Sequence, residues 1–310
     1  MTGPDVTGRG IRSLLDITDL SVAEIDAVLR LSAKPIGQLG APLAGLGAAL
    51  IFEKPSNRTR HSMEMAVFQL GGHPIYTRGE EVGLDRREPV EDIARIMSGY
   101  HALIAARVFS HEVVQRLAAS ATVSVVNMLS DHSHPLQALA DAFTMQQSLG
   151  SLAGRTIAYI GDYNNVARSL AEISTMCGAH VRLGCPVGYD APPAELERLD
   201  ALGSGTITQE VDPELAVSGA DVVHTDTWTS MGQEDEKAAR LEIFGRYQVT
   251  TGLMAAAADG AAFMHCLPAY RGLEVSSDVI DGPRSLVLVQ GHNRMHTARG
   301  LLAFLFGVRP

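Results

Sequence analysis

A short apolar run, Ala48-Ala49-Leu50-Ile51-Phe52, is followed after three residues by Ser56-Asn57-Arg58-Thr59-Arg60, and then by Met63, Ala66, Val67 and Leu70. The run suits a buried strand. The later four positions follow the i, i+3, i+4, i+7 spacing of a helix face, and Gly71-Gly72 stops that helix. A chain with this pattern makes a strand, a tight turn and a helix, which is half of a βαβ unit. The turn sets unpaired backbone N–H groups and the positive end of a helix dipole toward any nearby anion. Ser56 and Thr59 add hydroxyl donors, and Arg58 adds a planar fork that matches a phosphate. Residues two apart on a helix point different ways, so Arg58 is assigned to the anion and Arg60 to an internal ion pair.

The alternation continues along the chain and predicts an α/β fold of two domains, each a parallel sheet flanked by helices. A capping box at Ser21 and Glu24 opens a first helix. Residues 74–76 suit a short strand. Residues 78–91 carry eight charges and read as a mobile loop. Pro89 suits a first helical position, and Ile93, Ile96, Met97 and Tyr100 form the buried face of the helix that follows. Strands are expected at 102–108 and 122–128. Pro135 opens a long helix that runs to about Gly150. Gly150-Ser151 and Gly154 mark a boundary, giving domains at 1–150 and 151–293. The second domain carries strands at 156–161, 179–185, 206–210, 221–226, 262–266 and 286–289, with a helix at 165–177. The polar stretch 229–250 is a candidate lid. A last helix at about 294–310 is expected to pack back on the first domain.

Composition excludes some classes. The 310 residues carry a net charge of −10, which disfavours a nucleic-acid groove or an anionic membrane as partner. No apolar run reaches the roughly 20 residues of a membrane span. Cys177, Cys185 and Cys266 lack paired spacing, which disfavours a disulfide framework and points to reducing cytoplasm.

Polar motifs sit where strands end, the position at which open α/β sheets bind ligands. Arg107 ends an apolar strand, where it meets either an anionic ligand or a salt bridge at the sheet edge. His134 and Gln137 are three apart in a first helical turn and can face one ligand. His132 and His134 form half of a metal site, but no cluster completes it. Gly161-Asp162-Tyr163-Asn164-Asn165 occupies a dinucleotide-loop position with one glycine where three are needed. Its asparagines suit a small polar group such as a carboxylate. Asp226, at another strand end, suits an ammonium, and Trp228 suits the core. Cys266 is a small buried hydrophobe or a site residue. Gly291-His292-Asn293-Arg294 offers one more cation.

Together these residues resemble the carbamoyltransferases over nearly the whole chain. Ser56–Arg60 is similar to the S-T-R-T-R motif, and His134–Gln137 to H-P-x-Q. Asp226-Thr227-Trp228 with Ser230-Met231-Gly232, and His265-Cys266-Leu267-Pro268, resemble the ornithine branch. The resemblance implies carbamoyl phosphate held by Ser56, Asn57, Arg58, Thr59, Arg107, His134, Gln137, Cys266, Leu267 and Arg294. It implies L-ornithine held by Asn165, Asp226, Ser230 and Met231, with Arg107, His134, Cys266 and Arg294 at the reacting centre. It further implies transfer of the carbamoyl group to an amine in arginine biosynthesis, a homotrimer with shared active sites, and no cofactor or metal. Three positions depart from the pattern. Asn57 stands for Thr, Tyr163 for a small residue, and Gly83 for a Gln that reaches carbamoyl phosphate.

Overall fold

The structure, a computed structural model, describes residues 12–229 and 236–310. The chain forms two units, Met1–Phe143 with Asn293–Pro310, and Thr144–His292.

The first unit is built on strands β1 (Gly47–Phe52), β2 (His73–Arg78), β3 (Leu103–Arg107) and β4 (Ser124–Leu129). They pair in parallel in the order β2-β1-β3-β4. Helix α1 (Val22–Ala33) starts at the capping box read from the sequence, with Ser21 and Glu24 each accepting from the other's backbone N–H. Helices α2 (Asn57–Gln69), α3 (Gly79–Val82), α4 (Val90–Tyr100) and α5 (His111–Ser120) connect the strands. Ala49, Ile51, Ile104, Ala106 and Val125 on one sheet face pack with Ile93 of α4 and Val114 and Leu117 of α5. Helix α6 (Pro135–Leu149) leads into the second unit.

That unit contains β5 (Thr156–Ile160), β6 (His180–Gly184), β7 (Thr206–Glu210), β8 (Val222–Thr225) and β9 (Ala262–His265). They are parallel in the order β7-β6-β5-β8-β9. Helices α7 (Asn165–Met176), α8 (Pro193–Asp200), α9 (Pro213–Val217), α10 (Lys237–Phe244), α11 (Thr251–Ala255) and α12 (Ser277–Ile280) accompany them. Helix α13 (Val287–Leu305) returns the chain to the first unit. There Gly300 lies against α1, so close that an added Cβ would collide with Ser32 and the Val28 carbonyl. Arg299 donates to the Ser32 and Lys34 carbonyls and to Gln69 Oε1.

In each unit the strand order reverses once, between β1 and β3 and between β5 and β8. Such a reversal opens a crevice at the carboxyl ends of the two strands. The Ser56 turn and Arg107 flank the first, and the Gly161–Asn165 loop and Asp226 flank the second.

Two expectations are corrected. Residues 287–289 are the start of α13, not a strand. Val287 is buried while Leu288 and Val289 are exposed, and only a single bridge, Phe263 to Ser285, forms nearby. The stretch 78–91 contains α3 and is tied down by Arg116 of α5, which donates to Asp85 and Glu91 at 2.7–3.0 Å. The stretch 229–250, a candidate lid, contains α10, and 230–235 lie outside the described residues. Arg60 makes the expected ion pair within the chain, with Glu64 at 2.9 Å, and its guanidinium lies 3.7 Å from the Tyr76 ring centre.

Candidate active site

The first half-site starts at the N-terminus of α2. Ser56 is the N-cap, and its Oγ accepts the Thr59 N–H at 3.3 Å. This local bond, favoured for a serine before a helix, turns Asn57 and Arg58 outward and Thr59 inward. Thr59 is buried and its hydroxyl is a meeting point. It accepts from Ser56 Oγ at 3.1 Å, from Arg294 Nη2 at 2.9 Å and from Arg107 Nη1 at 3.4 Å. Arg294 Nη1 also donates to Gln137 Oε1 and lies 3.5 Å from His134 Nε2. Gln137 in turn donates to Asp141 at 2.7 Å, which fixes its amide.

Thus Ser56, Thr59, Arg107, His134, Gln137 and Arg294 converge, although they span almost the full chain. Arg58 differs from them. It is half-buried on the first turn of α2 and has no hydrogen-bond or ion-pair partner among the described residues. A guanidinium placed there beside free helical N–H groups is ready for an external anion. Lys54 lies over the Phe109 ring at 4.6 Å, and burial, then the Arg107 charge, lowers its pKa.

Burial, and then the charges of Arg294 and Arg107, hold the His134 pKa well below the ordinary 6.5. The ring is therefore neutral in the fold. The unfolded chain takes up its proton near pH 6.5, whereas the folded chain resists until lower pH. Stability is full above about 6.5 and falls as pH drops below it, by at most about 1.4 kcal/mol per pH unit. Urea unfolding between about pH 7.5 and 5.5 is expected to show this slope in the wild type and a shallower one in His134→Gln. Parallel profiles would contradict it.

The second half-site is built at β5, β8 and β9. Asn164 caps α7, its Oδ1 accepting from Val166 and Ala167 N–H. Its Nδ2 donates to Asp226 Oδ2 at 3.1 Å, while Cys266 Sγ–H donates to Asp226 Oδ1 at 2.9 Å. Asn164, which the sequence reading did not single out, therefore faces Asp226. Which of two adjacent asparagines caps a helix is below the resolution of sequence pattern. Asn165 is the first residue of α7. Leu267 follows Cys266 with φ +59, and its N–H donates to His265 Nδ1 at 2.9 Å. His265 Nε2 lies 3.1 Å from Glu274. Ser230 and Met231 lie outside the described residues.

Asp226, His265 and Cys266 bring three potential metal donors within 4.8 Å of one another. Their atoms are engaged, the thiol with Asp226 and the imidazole with Leu267 and Glu274. Tyr163, the bulky departure, sends its hydroxyl to Glu195 of α8 at 2.8 Å. Trp228 packs on Phe244 with ring centres 5.8 Å apart, a core role. Gly83 has φ +67 and ends α3, a conformation that suits glycine.

Two family models match. Residues 12–147 match the aspartate/ornithine carbamoyltransferase carbamoyl-P binding domain, and residues 153–305 match the Asp/Orn binding domain of the same family. An ornithine carbamoyltransferase of Acidothermus cellulolyticus is 46% identical over 301 residues, covering 95% of this chain and 96% of that protein. One from Thermus thermophilus is 44% identical, with 95% and 96% covered. The solved structure of the Pyrococcus furiosus ornithine carbamoyltransferase has a TM-score of 0.90 and 42% identity, covering 95% of this chain and 96% of that one.

Proposed function

Because this chain belongs to the aspartate/ornithine carbamoyltransferase family, we propose that it transfers the carbamoyl group of carbamoyl phosphate to the δ-amine of L-ornithine, giving L-citrulline and phosphate. The observation that carries the reading is Arg58, a guanidinium with no protein partner among the described residues, at the helix N-terminus beside the Thr59 hub. Ser56, Asn57, Arg58 and Thr59 hold the phosphate. Arg107 bridges phosphate and carbonyl, His134 and Gln137 orient the carbamoyl group, and Leu267 and Arg294 complete its pocket. Asn165, Asp226, Ser230 and Met231 hold the amino-acid end of ornithine, with Asn164 added by its bond to Asp226.

The δ-amine attacks the carbamoyl carbon and an oxyanion develops on the carbonyl oxygen. Thr59, Arg107 and His134 stabilise that charge, each such donor lowering the barrier by about 2.7–4 kcal/mol. The nucleophile must be the free amine, whose conjugate acid has a pKa of roughly 10.4. The cations Arg107 and Arg294 at the carbamoyl group favour the neutral form. The Cys266 thiol proton is spent on Asp226, so its sulfur is left to accept from the amine. The phosphate leaves with the C–O bond electrons and takes up the amine proton.

A homotrimer is supported by one open groove of the first unit. Phe68, Ile75 and Tyr100 line it beside the edge strand β2, and they are 65%, 44% and 72% exposed. Apolar residues at a strand edge suit coverage by another copy. Among the described residues no disulfide joins the three cysteines, and no helix is long and apolar enough to cross a membrane. We propose a cytoplasmic enzyme of arginine biosynthesis.

Citrulline assayed with both substrates tests the reading. Product with L-ornithine and none without it is expected. Faster carbamoylation of putrescine than of ornithine would replace the assigned substrate.

A further inference from the structure

Arg107 ends β3 and His134 lies in the loop after β4, and the proposed chemistry needs them in fixed relation. The sheet does not provide this. The β3–β4 register slips at its last step, where Ala106 pairs with Asn127 but Arg107 pairs with Leu129. Beyond that bulge the ladder ends with the Val108 N–H on Leu129 O.

His111 takes over the connection. It follows Arg107 by four residues, and its Nδ1 lies 2.8 Å from Oγ of Ser130, four residues before His134. Its backbone N–H donates to Asp131 Oδ1 at 2.8 Å, and Asp131 N–H donates to Phe109 O at 3.0 Å. On the other side of the ring, Nε2 lies 3.3 Å from Asp16 Oδ2. The His132 ring packs 4.9 Å away. Acid, imidazole and hydroxyl stand in the order of a hydrolytic triad. Ser130 is fully buried, however, and its Oγ also accepts from the Ser133 N–H at 3.2 Å and the Asn127 amide at 3.3 Å. No substrate reaches that hydroxyl. It is a hub of the loop that presents His134.

We propose that His111, its ring beside Asp16, is a positioning residue that clamps the end of β3 at Arg107 to the His134 loop through Ser130. This rests on the carbamoyl-transfer reading. Displacing a reacting group by about 1 Å costs on the order of 100-fold in rate. His111→Leu is expected to lower kcat by about 10- to 100-fold with the ornithine KM changed less than about twofold. His111→Asn, whose amide can still reach Ser130, restores most of the loss.

A double-mutant cycle with His134→Ala separates positioning from general damage. If His111 acts through His134, His111→Leu costs little in the His134→Ala background. The full loss repeated there overturns the proposal. Ser130→Ala enters the same cycle if His111→Leu does not fold. A second readout is independent of turnover. The His134 ring ¹⁵N resonances are expected to shift in His111→Leu and to return in His111→Asn. Unmoved resonances overturn the clamp whether or not the wild type makes citrulline, and a wild type that makes none overturns the parent reading alone.

Discussion

Arg58→Gly abolishes carbamoyl-phosphate binding: titration calorimetry returns only heats of dilution, and kcat/KM falls by about 10²–10³-fold or more. Arg58 sits on the first turn of α2 with no protein counter-ion among the described residues. Its removal therefore costs the ligand its charge-assisted fork and leaves no compensating change in the fold. Losing one member of a buried charge pair costs about 2–5 kcal/mol. The helix terminus that remains supplies only about 0.3–1 kcal/mol. Glycine in a helix costs about 1 kcal/mol against alanine, so melting curves accompany the titration. Arg58→Lys keeps the charge without the planar fork and is expected to bind with intermediate affinity. Unchanged affinity in Arg58→Gly would remove the phosphate assignment.

Asp226→Asn is the matching test of the second half-site. Both carboxylate oxygens are in use, one by Cys266 and one by Asn164. The substitution keeps the shape, removes the charge and replaces one acceptor oxygen with a donor. The ornithine kcat/KM is expected to fall by about 10²–10³-fold, the size of a lost pairing with an ammonium. Carbamoyl-phosphate binding, measured by calorimetry, should stay within about twofold, because Asp226 is assigned to ornithine and not to the phosphate. An ornithine KM and kcat close to wild type would remove Asp226 from the amino-acid site.

The parts legible in the sequence are those whose causes are local. Ser56 caps the helix that follows it, and the spacing of Met63, Ala66 and Val67 fixes which face is buried. The convergence on Thr59 is not local, since Arg294 reaches it across 235 positions. The sequence placed these residues in one site only through the rule that ligands sit at strand ends, and through resemblance. The misread segment 287–289 shows the limit. The four aliphatic residues in a row from Leu286 to Val289 fit a buried strand or a helix equally, and only the exposure of Leu288 and Val289 separates the two. The charged stretch 78–91 misled for another reason. Its polarity is satisfied by Arg116, a partner far along the chain that no local pattern announces. His111 gave no signal at all, because its role depends on two loops meeting.

The contact of Gly300 with α1 has a consequence for biogenesis. The first unit is discontinuous, and the helix that seals α1 belongs to residues 293–310. On the ribosome, which releases about 5–20 residues per second, the opening segment must wait with an uncovered flank while the entire second unit is made. Closure so distant in sequence is slow to find. The nascent amino-terminal half thus spends several seconds as a natural client for chaperones, and a stop codon placed just before position 293 would leave that exposed flank permanent.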